Sequence, residues 1–189
     1  MNTESVNADD YRRYALYAAP SADCPLGRFG NAWLGRDPSG LLPLAYPAVP
    51  GYDSSQIAKL TAQPAKYGFH ATLKPPFQMR DGMTFEQLCE AVSDTAGRLN
   101  PVDVGMLRVS SIGSFVALVQ DVDVPALQAL AATMVKELDG FRHPPDDAEI
   151  ARRRLSSLTD RQEALLARWG YPYVMEEYRF HFTLSCSLP

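Results

Sequence analysis

The frame Phe-His-x-Thr-Leu occurs twice in the sequence, from Phe69 to Leu73 and again from Phe180 to Leu184. In an extended strand, side chains two residues apart point to the same face, so each copy presents an imidazole beside a hydroxyl and turns its apolar residues to the other face. The neighbouring residues continue this alternation, which is typical of a strand with one buried face. The sequence therefore predicts two strands that each carry one histidine and one threonine on a polar face.

The four polar residues of these frames, His70, Thr72, His181 and Thr183, are the predicted catalytic residues. If the two strands lie side by side, both imidazoles and both hydroxyls converge on one spot. Reaction at a phosphodiester requires a general base, a general acid and donors for the charge on the phosphoryl oxygens, and histidine exchanges protons near neutral pH. One such motif arises easily by chance, but two in the same frame favour a catalytic interpretation.

Two cationic residues follow the same alternation as the motifs. Lys74 lies two residues after the first threonine and Arg179 two residues before the second histidine, so we predict that both bind the substrate phosphate. The segment from Gly27 to Gly30 lacks the Gly-Lys-Ser/Thr ending of a nucleotide-binding loop, and helix packing explains its glycines better.

Composition limits the class of protein. With 189 residues, 46% of them hydrophobic, the chain can bury a sizeable core, and its net charge of -4 argues against long nucleic acids while a small phosphorylated ligand stays compatible. No apolar run of about 18 residues predicts a membrane span, and the N-terminus does not resemble a signal peptide. Three cysteines without Cys-x-x-Cys spacing predict free thiols and no zinc site. We expect a soluble cytoplasmic protein.

The local patterns predict an α+β order of elements after residues 1–11, which we expect to be disordered. Strands are predicted at 13–19, at 68–74 and at the second motif. A hairpin is predicted from strands 102–110 and 115–120, joined by residues 111–114. Helices are predicted at 24–35, 54–62, 85–99, 124–139, 146–155 and 159–168. Thr84 and Gln87 have the spacing of a capping box at the start of the third helix.

The paired His-x-Thr motifs resemble those of the two-histidine (2H) phosphoesterase superfamily, which includes LigT-like cyclic phosphodiesterases. A closer resemblance, to a bacterial branch associated with phosphonate-utilisation operons, extends over nearly the whole chain. It rests on the segments Arg13 to Tyr17, Arg28 to Asp37, Tyr67 to Phe77, Ala151 to Arg154 and Trp169 to Tyr173. One departure follows the second motif, where Ser185-Cys186 replaces the expected Thr-Gly; Ser185 is expected to keep a hydroxyl on the motif face.

The resemblance implies an α+β, bilobal fold in a single domain spanning residues 1–189. Two pseudo-symmetric, mostly antiparallel sheet lobes with outer helices would flank a central cleft, and each lobe would supply one motif. It also implies chemistry that needs no metal and no cofactor.

The function implied by the resemblance is a cyclic phosphodiesterase that opens a small ribose cyclic phosphate in phosphonate metabolism. One histidine would act as base and the other as acid, in an order that the sequence leaves open. The alternatives are an RNA 2',3'-cyclic-end phosphodiesterase, a non-catalytic sensor of a phosphorylated ligand, and a structural protein for which the motif histidines are dispensable.

Overall fold

The structure is a computed structural model that describes residues 13–154 and 157–188. The expectation of disorder in residues 1–11 lies outside the described residues. Within the described chain, six α-helices and one five-stranded sheet form a mixed α and β fold. None of these helices has the length and the apolar composition needed to span a lipid bilayer.

The sheet places the last strand of the sequence at its centre. Its strands are β1 (Arg13–Ala18), β2 (Ala71–Gln78), β3 (Leu107–Ile112), β4 (Phe115–Gln120) and β5 (His181–Thr183), in the order β1-β2-β5-β4-β3. β5 pairs antiparallel with both β2 and β4, and β4 pairs antiparallel with β3. The strand with the second motif therefore lies directly beside the strand with the first.

The helices confirm the sequence predictions to within two residues at each end. They are α1 (Pro25–Leu34), α2 (Ser54–Thr61), α3 (Phe85–Gly97), α4 (Pro125–Glu137), α5 (Asp147–Arg153) and α6 (Asp160–Trp169). Capping boxes begin α2, α3 and α6, and the predicted pair of Thr84 and Gln87 is one of them. Each box satisfies backbone N–H groups that have no partner inside the helix, so local sequence alone determines these starts.

Two strand predictions were wrong at both ends. β2 begins at Ala71 and not at 68, and β3 begins at Leu107 and not at 102. β2 continues through Pro75 and Pro76 to Gln78, because a strand excludes proline only where the missing N–H would be needed in the ladder. The hairpin has a two-residue turn at Gly113 and Ser114 instead of the predicted 111–114. Gly113 has a φ of +56°, the left-handed conformation that glycine adopts without steric cost in tight hairpins.

The described residues divide into two compact units. Unit 1 contains residues 13–16, 73–103, 124–154 and 157–179, and unit 2 contains residues 17–72, 104–123 and 180–188. All four motif residues, at 70, 72, 181 and 183, therefore belong to unit 2. The expected pseudo-symmetric lobes, each supplying one motif, are not confirmed.

Unit 2 packs aromatic rings beneath the motif residues. Phe69 and Phe182, which flank the two histidines in sequence, are buried and stack with ring centroids 4.8 Å apart and planes 14° apart. Helix α1 approaches this stack so closely that a methyl group added at Gly30 would lie 2.1 Å from the ring of Phe69. The helix-packing interpretation of this glycine is confirmed, since only a residue without a side chain fits.

Unit 1 has its own core. Phe77 of β2 packs with Leu88 of α3 and with Met134 and Leu138 at the end of α4. A second cluster joins α4 to α6 and the segment that follows it, through Val135, Leu165 and Val174. Helix α4 therefore contributes to two apolar clusters of this unit.

Candidate functional site

The pairing of β2 with β5 brings the two motifs together. Ala71 and Phe182 are Cα partners in an antiparallel ladder, so Thr72 lies opposite His181, while His70 immediately precedes β2 and Thr183 ends β5. Side chains directly opposite each other have Cβ atoms about 4.5–5.5 Å apart, and diagonal neighbours are about 7–8 Å apart. His181 thus has Thr183 on its own strand and Thr72 across the ladder, and His70 adjoins the ladder one residue before β2 begins.

His70 is held in one orientation by its surroundings. Its Nδ1 lies 2.9 Å from the carbonyl oxygen of Gly68, and the ring of Tyr17 stacks on the imidazole with centroids 3.7 Å apart. A carbonyl oxygen only accepts hydrogen bonds, so Nδ1 carries the proton, and in the neutral ring Nε2 keeps its lone pair. The imidazole is therefore prepared to accept a proton at Nε2.

The charge state of His70 favours the same role. Burial lowers the pKa of His70, the hydrogen bond to Gly68 raises it, and the charge of His181 lowers it, with a net pKa below the usual 6.5. The half-buried imidazole is consequently neutral at neutral pH. A neutral histidine can act as a general base without first losing a proton.

His181 lies on β5, between β2 and β4. Its partner on β4 is Val119, and the partner of Thr183 is the fully buried Ala117. The ring of Phe115 approaches the imidazole of His181, with centroids 5.7 Å apart and planes inclined by 47°. The small side chain at position 117 leaves room for this approach, which shields one side of the imidazole from water.

Lys74, a predicted substrate-binding residue, is buried in unit 1. It is 2% exposed, and its Nζ donates a hydrogen bond of 3.1 Å to the carbonyl oxygen of Val135. Burial lowers the pKa of Lys74 to about 8, with Asp139 raising it and Arg142 lowering it. The structure therefore gives this ammonium a protein acceptor within unit 1.

Arg179, the other predicted cation, also belongs to unit 1 and is exposed. The sequence prediction placed it on the motif face by extending the strand alternation backwards from His181. In the structure β5 begins only at His181, because Met175–Glu177 form a 3-10 turn shortly before it. Strand alternation therefore does not determine the direction of the Arg179 side chain.

The expectation that Ser185 keeps a hydroxyl on the motif face was wrong. The N–H groups of Leu184 and Ser185 both donate to the carbonyl oxygen of Val116, which ends the regular alternation after Thr183. The Ser185 side chain is buried, accepts a hydrogen bond of 2.9 Å from the N–H of Val116 and donates one of 2.8 Å to the carbonyl of Cys186. Its hydroxyl therefore stabilises the end of the sheet.

Arg108 is a cation that the sequence analysis missed. Arg108 of β3 pairs with Val119 of β4, which in turn pairs with His181, so all three side chains share one face of the sheet. Two strand spacings of about 4.8 Å separate Arg108 from His181, a distance that an arginine side chain can cover. The exposed guanidinium lies 3.6 Å from Asp121. Only the register of three strands reveals this neighbour, since the residues are far apart in sequence.

Comparison with known proteins gives a family and two named relatives. A family model described as "Protein of unknown function (DUF1045)" matches residues 72–189, so it includes Thr72, His181 and Thr183 and begins two residues after His70. A protein of Janthinobacterium sp. (strain Marseille) named ribose 1,5-bisphosphate phosphokinase PhnN is 38% identical over 183 residues, covering 97% of this chain and 40% of that protein. No solved structure matches the chain.

A second relative has the same name. It comes from Laribacter hongkongensis (strain HLHK9) and is 35% identical over 176 residues, covering 93% of this chain and 40% of that protein. The chain thus spans about 40% of the length of the curated relatives it matches.

The names of these relatives correct the predicted function. Both are named as a phosphokinase, which transfers a phosphoryl group, so the predicted cyclic phosphodiesterase activity is contradicted, and the hydrolase class with it. Membership in the two-histidine superfamily is not shown by either comparison. The match over residues 72–189, well over half of the sequence, shows that the chain belongs to the DUF1045 family of proteins of unknown function.

Proposed function

We propose that unit 2 contains the acceptor site of a phosphoryl-transfer enzyme whose substrate is a small phosphorylated ribose. The observation that carries the proposal is the pairing of Ala71 with Phe182, which makes neighbours of two histidines and two threonines. The shared name of the two relatives, ribose 1,5-bisphosphate phosphokinase PhnN, supports the substrate class and the type of reaction. The PhnN designation also supports a place in phosphonate metabolism.

In the proposed reaction, the Nε2 lone pair of His70 accepts a proton from the attacking oxygen of the substrate. That oxygen forms a bond to phosphorus, and the bond from phosphorus to the donor oxygen breaks with its electron pair leaving on the donor. His181 in its protonated form and the hydroxyls of Thr72 and Thr183 donate hydrogen bonds to the oxygens that gain charge. Preorganised donors of this kind stabilise the transition state because they need no reorientation during the reaction.

The cation of the proposed site is Arg108. Its guanidinium shares the face of His181 through the pairings of β3, β4 and β5, and a guanidinium forms two parallel hydrogen bonds with a phosphate. That Lys74 and Arg179 also contact the substrate stays a prediction. The sequence contains no Gly-x4-Gly-Lys-Ser/Thr loop, so in this proposal the phosphoryl donor is not held by a loop of that type.

Membership in the two-histidine superfamily and its bilobal arrangement are part of the proposal. The repeated motif frame and the antiparallel contact between the two motif strands support it. The proposed activity differs from that implied by the superfamily, since similar sites on one fold can serve different reactions.

The test is an assay of ADP formation from ATP and Mg²⁺ with ribose 1,5-bisphosphate as acceptor, and phosphorus NMR identifies the product. We expect His70→Gln to lower turnover about 10²-fold or more, as for loss of a general base. The matched control is His143→Gln, because His143 is exposed in unit 1 and bonds the carbonyl of Pro144.

Two results would contradict the proposal. Equal turnover in wild type and His70→Gln would exclude His70 as the base. Absence of ADP formation together with absence of ribose 1,5-bisphosphate binding by calorimetry would exclude an acceptor site of this class.

A further inference from the structure

Unit 1 contains a polar cavity whose lining includes none of the motif residues. It has a volume of about 270 Å³ and is lined by the side chains of Arg13, Arg152 and Arg153, by Glu149, and by Tyr171 and Tyr173. Three guanidinium groups and one carboxylate give the lining a formal charge of +2, in a chain whose net charge is -4. The local charge therefore has the opposite sign to that of the whole molecule.

Glu149 holds two of these guanidinium groups in place. Its Oε1 accepts hydrogen bonds of 2.9 Å from Arg13 and 3.0 Å from Arg153. Burial opposes ionisation of Glu149, but the hydrogen bonds and charges of the two arginines lower its pKa below the usual value. Each guanidinium carries five N–H donors in a rigid planar fork, so a carboxylate bound at one edge also sets the direction of the other donors.

The aromatic side chains give the cavity rigid walls. The guanidinium of Arg153 lies over the ring of Tyr171, 4.4 Å from its centroid, and Tyr173 meets Tyr171 edge to face with centroids 5.8 Å apart. Stacking of this kind fixes the plane of the guanidinium. Arg152 lines the same cavity, is exposed and makes no ion pair with any residue that the structure describes.

We propose that this cavity binds the phosphate group of a small phosphate monoester. Arg152 supplies the direct charge contact, Arg13 and Arg153 supply donors aligned by Glu149, and the exposed ring of Tyr173 borders the organic part of the ligand. Arginine suits this task because its planar fork matches two phosphate oxygens at once. The volume is below that of pockets for drug-sized ligands, which restricts the ligand to a small molecule.

The test uses ribose 5-phosphate as the probe and unphosphorylated ribose as the control, with affinities measured by isothermal titration calorimetry. All proteins carry His70→Ala and Thr183→Ala, so that binding in unit 2 does not contribute and the result is independent of the proposed function. Into this background we introduce Arg152→Gln or Arg154→Gln. The second is the matched control, because Arg154 is exposed, pairs with Glu163 and does not line the cavity.

We expect ribose 5-phosphate to bind, Arg152→Gln to weaken its affinity about tenfold or more, and Arg154→Gln to leave the affinity within about twofold. Added salt should weaken binding, since the contacts are ionic and partly exposed. Equal affinities of the two arginine variants, equal binding of ribose, or no binding of ribose 5-phosphate at millimolar concentration would each overturn the proposal.

Discussion

The ring of Tyr17 stacks on the imidazole of His70, with centroids 3.7 Å apart and planes inclined by 28°. This contact covers one face of the imidazole and contributes to the burial that lowers the pKa of His70. We predict that Tyr17→Ala raises the pKa of His70 towards 6.5, because water regains access to the charged form. The measurement is an NMR titration of the imidazole, with Tyr17→Phe as the control that keeps the stack. An unchanged titration in Tyr17→Ala would contradict the prediction.

The lowered pKa of His70 also makes the stability of the fold depend on pH. Because the folded pKa lies below 6.5, the unfolded chain binds more protons as the pH falls through this value, and the folded state loses stability. We predict that His70→Gln loses less stability than wild type between pH 7 and pH 5. Urea unfolding at the two pH values measures the difference. Parallel losses in both proteins would show that His70 titrates alike in the folded and unfolded states.

Buried Lys74 should make the stability of the fold depend on pH in the alkaline range. Its pKa is about 8 in the folded protein against 10.5 in the free side chain, so the unfolded chain binds more protons between these values and wild-type stability rises with pH. We predict that Lys74→Met, which has a similar volume and no charge, lacks this rise. Relative to the variant, wild type should gain about 3 kcal/mol between pH 7 and pH 10.5. Urea unfolding across this range tests it; an unchanged difference between the two proteins would argue against a buried ammonium.

The contact between Gly30 and Phe69 predicts a difference between two glycine substitutions. Gly30→Ala places a methyl group 2.1 Å from the Phe69 ring and should destabilise the protein by about 1–3 kcal/mol or more through overpacking. Gly97→Ala, near the end of α3 and with no atom within 4 Å of the added methyl group, should stabilise it by about 0.5 kcal/mol. Thermal unfolding compares the two variants; equal effects would mean that α1 shifts to admit the methyl group.

Local structure was predictable wherever its cause lies within a few residues. The helix starts depend on capping side chains such as Thr84, which bonds a backbone N–H three residues later, and the facing of each histidine with its threonine depends on the strand period. Those signals are short in range; the helix starts were confirmed, and β5 contains His181 with Thr183, whereas β2 begins one residue after His70. The strand ends predicted near Pro75 and Gly113 were wrong, because the effect of proline or of a tight turn depends on which backbone groups are already paired.

The repeated motif predicted two imidazoles and two hydroxyls on polar strand faces, since a period of two is a property of the extended backbone, and β5 has this arrangement for His181 and Thr183. The residues that surround the motifs depend on how distant parts of the chain pack together. The pairing of Ala71 with Phe182 joins residues 111 positions apart, the register of β3 adds Arg108, and the packing of α4 gives Lys74 a carbonyl acceptor. Such neighbours result from long-range packing, in which burial and register compete across the whole chain, and no local pattern encodes that outcome.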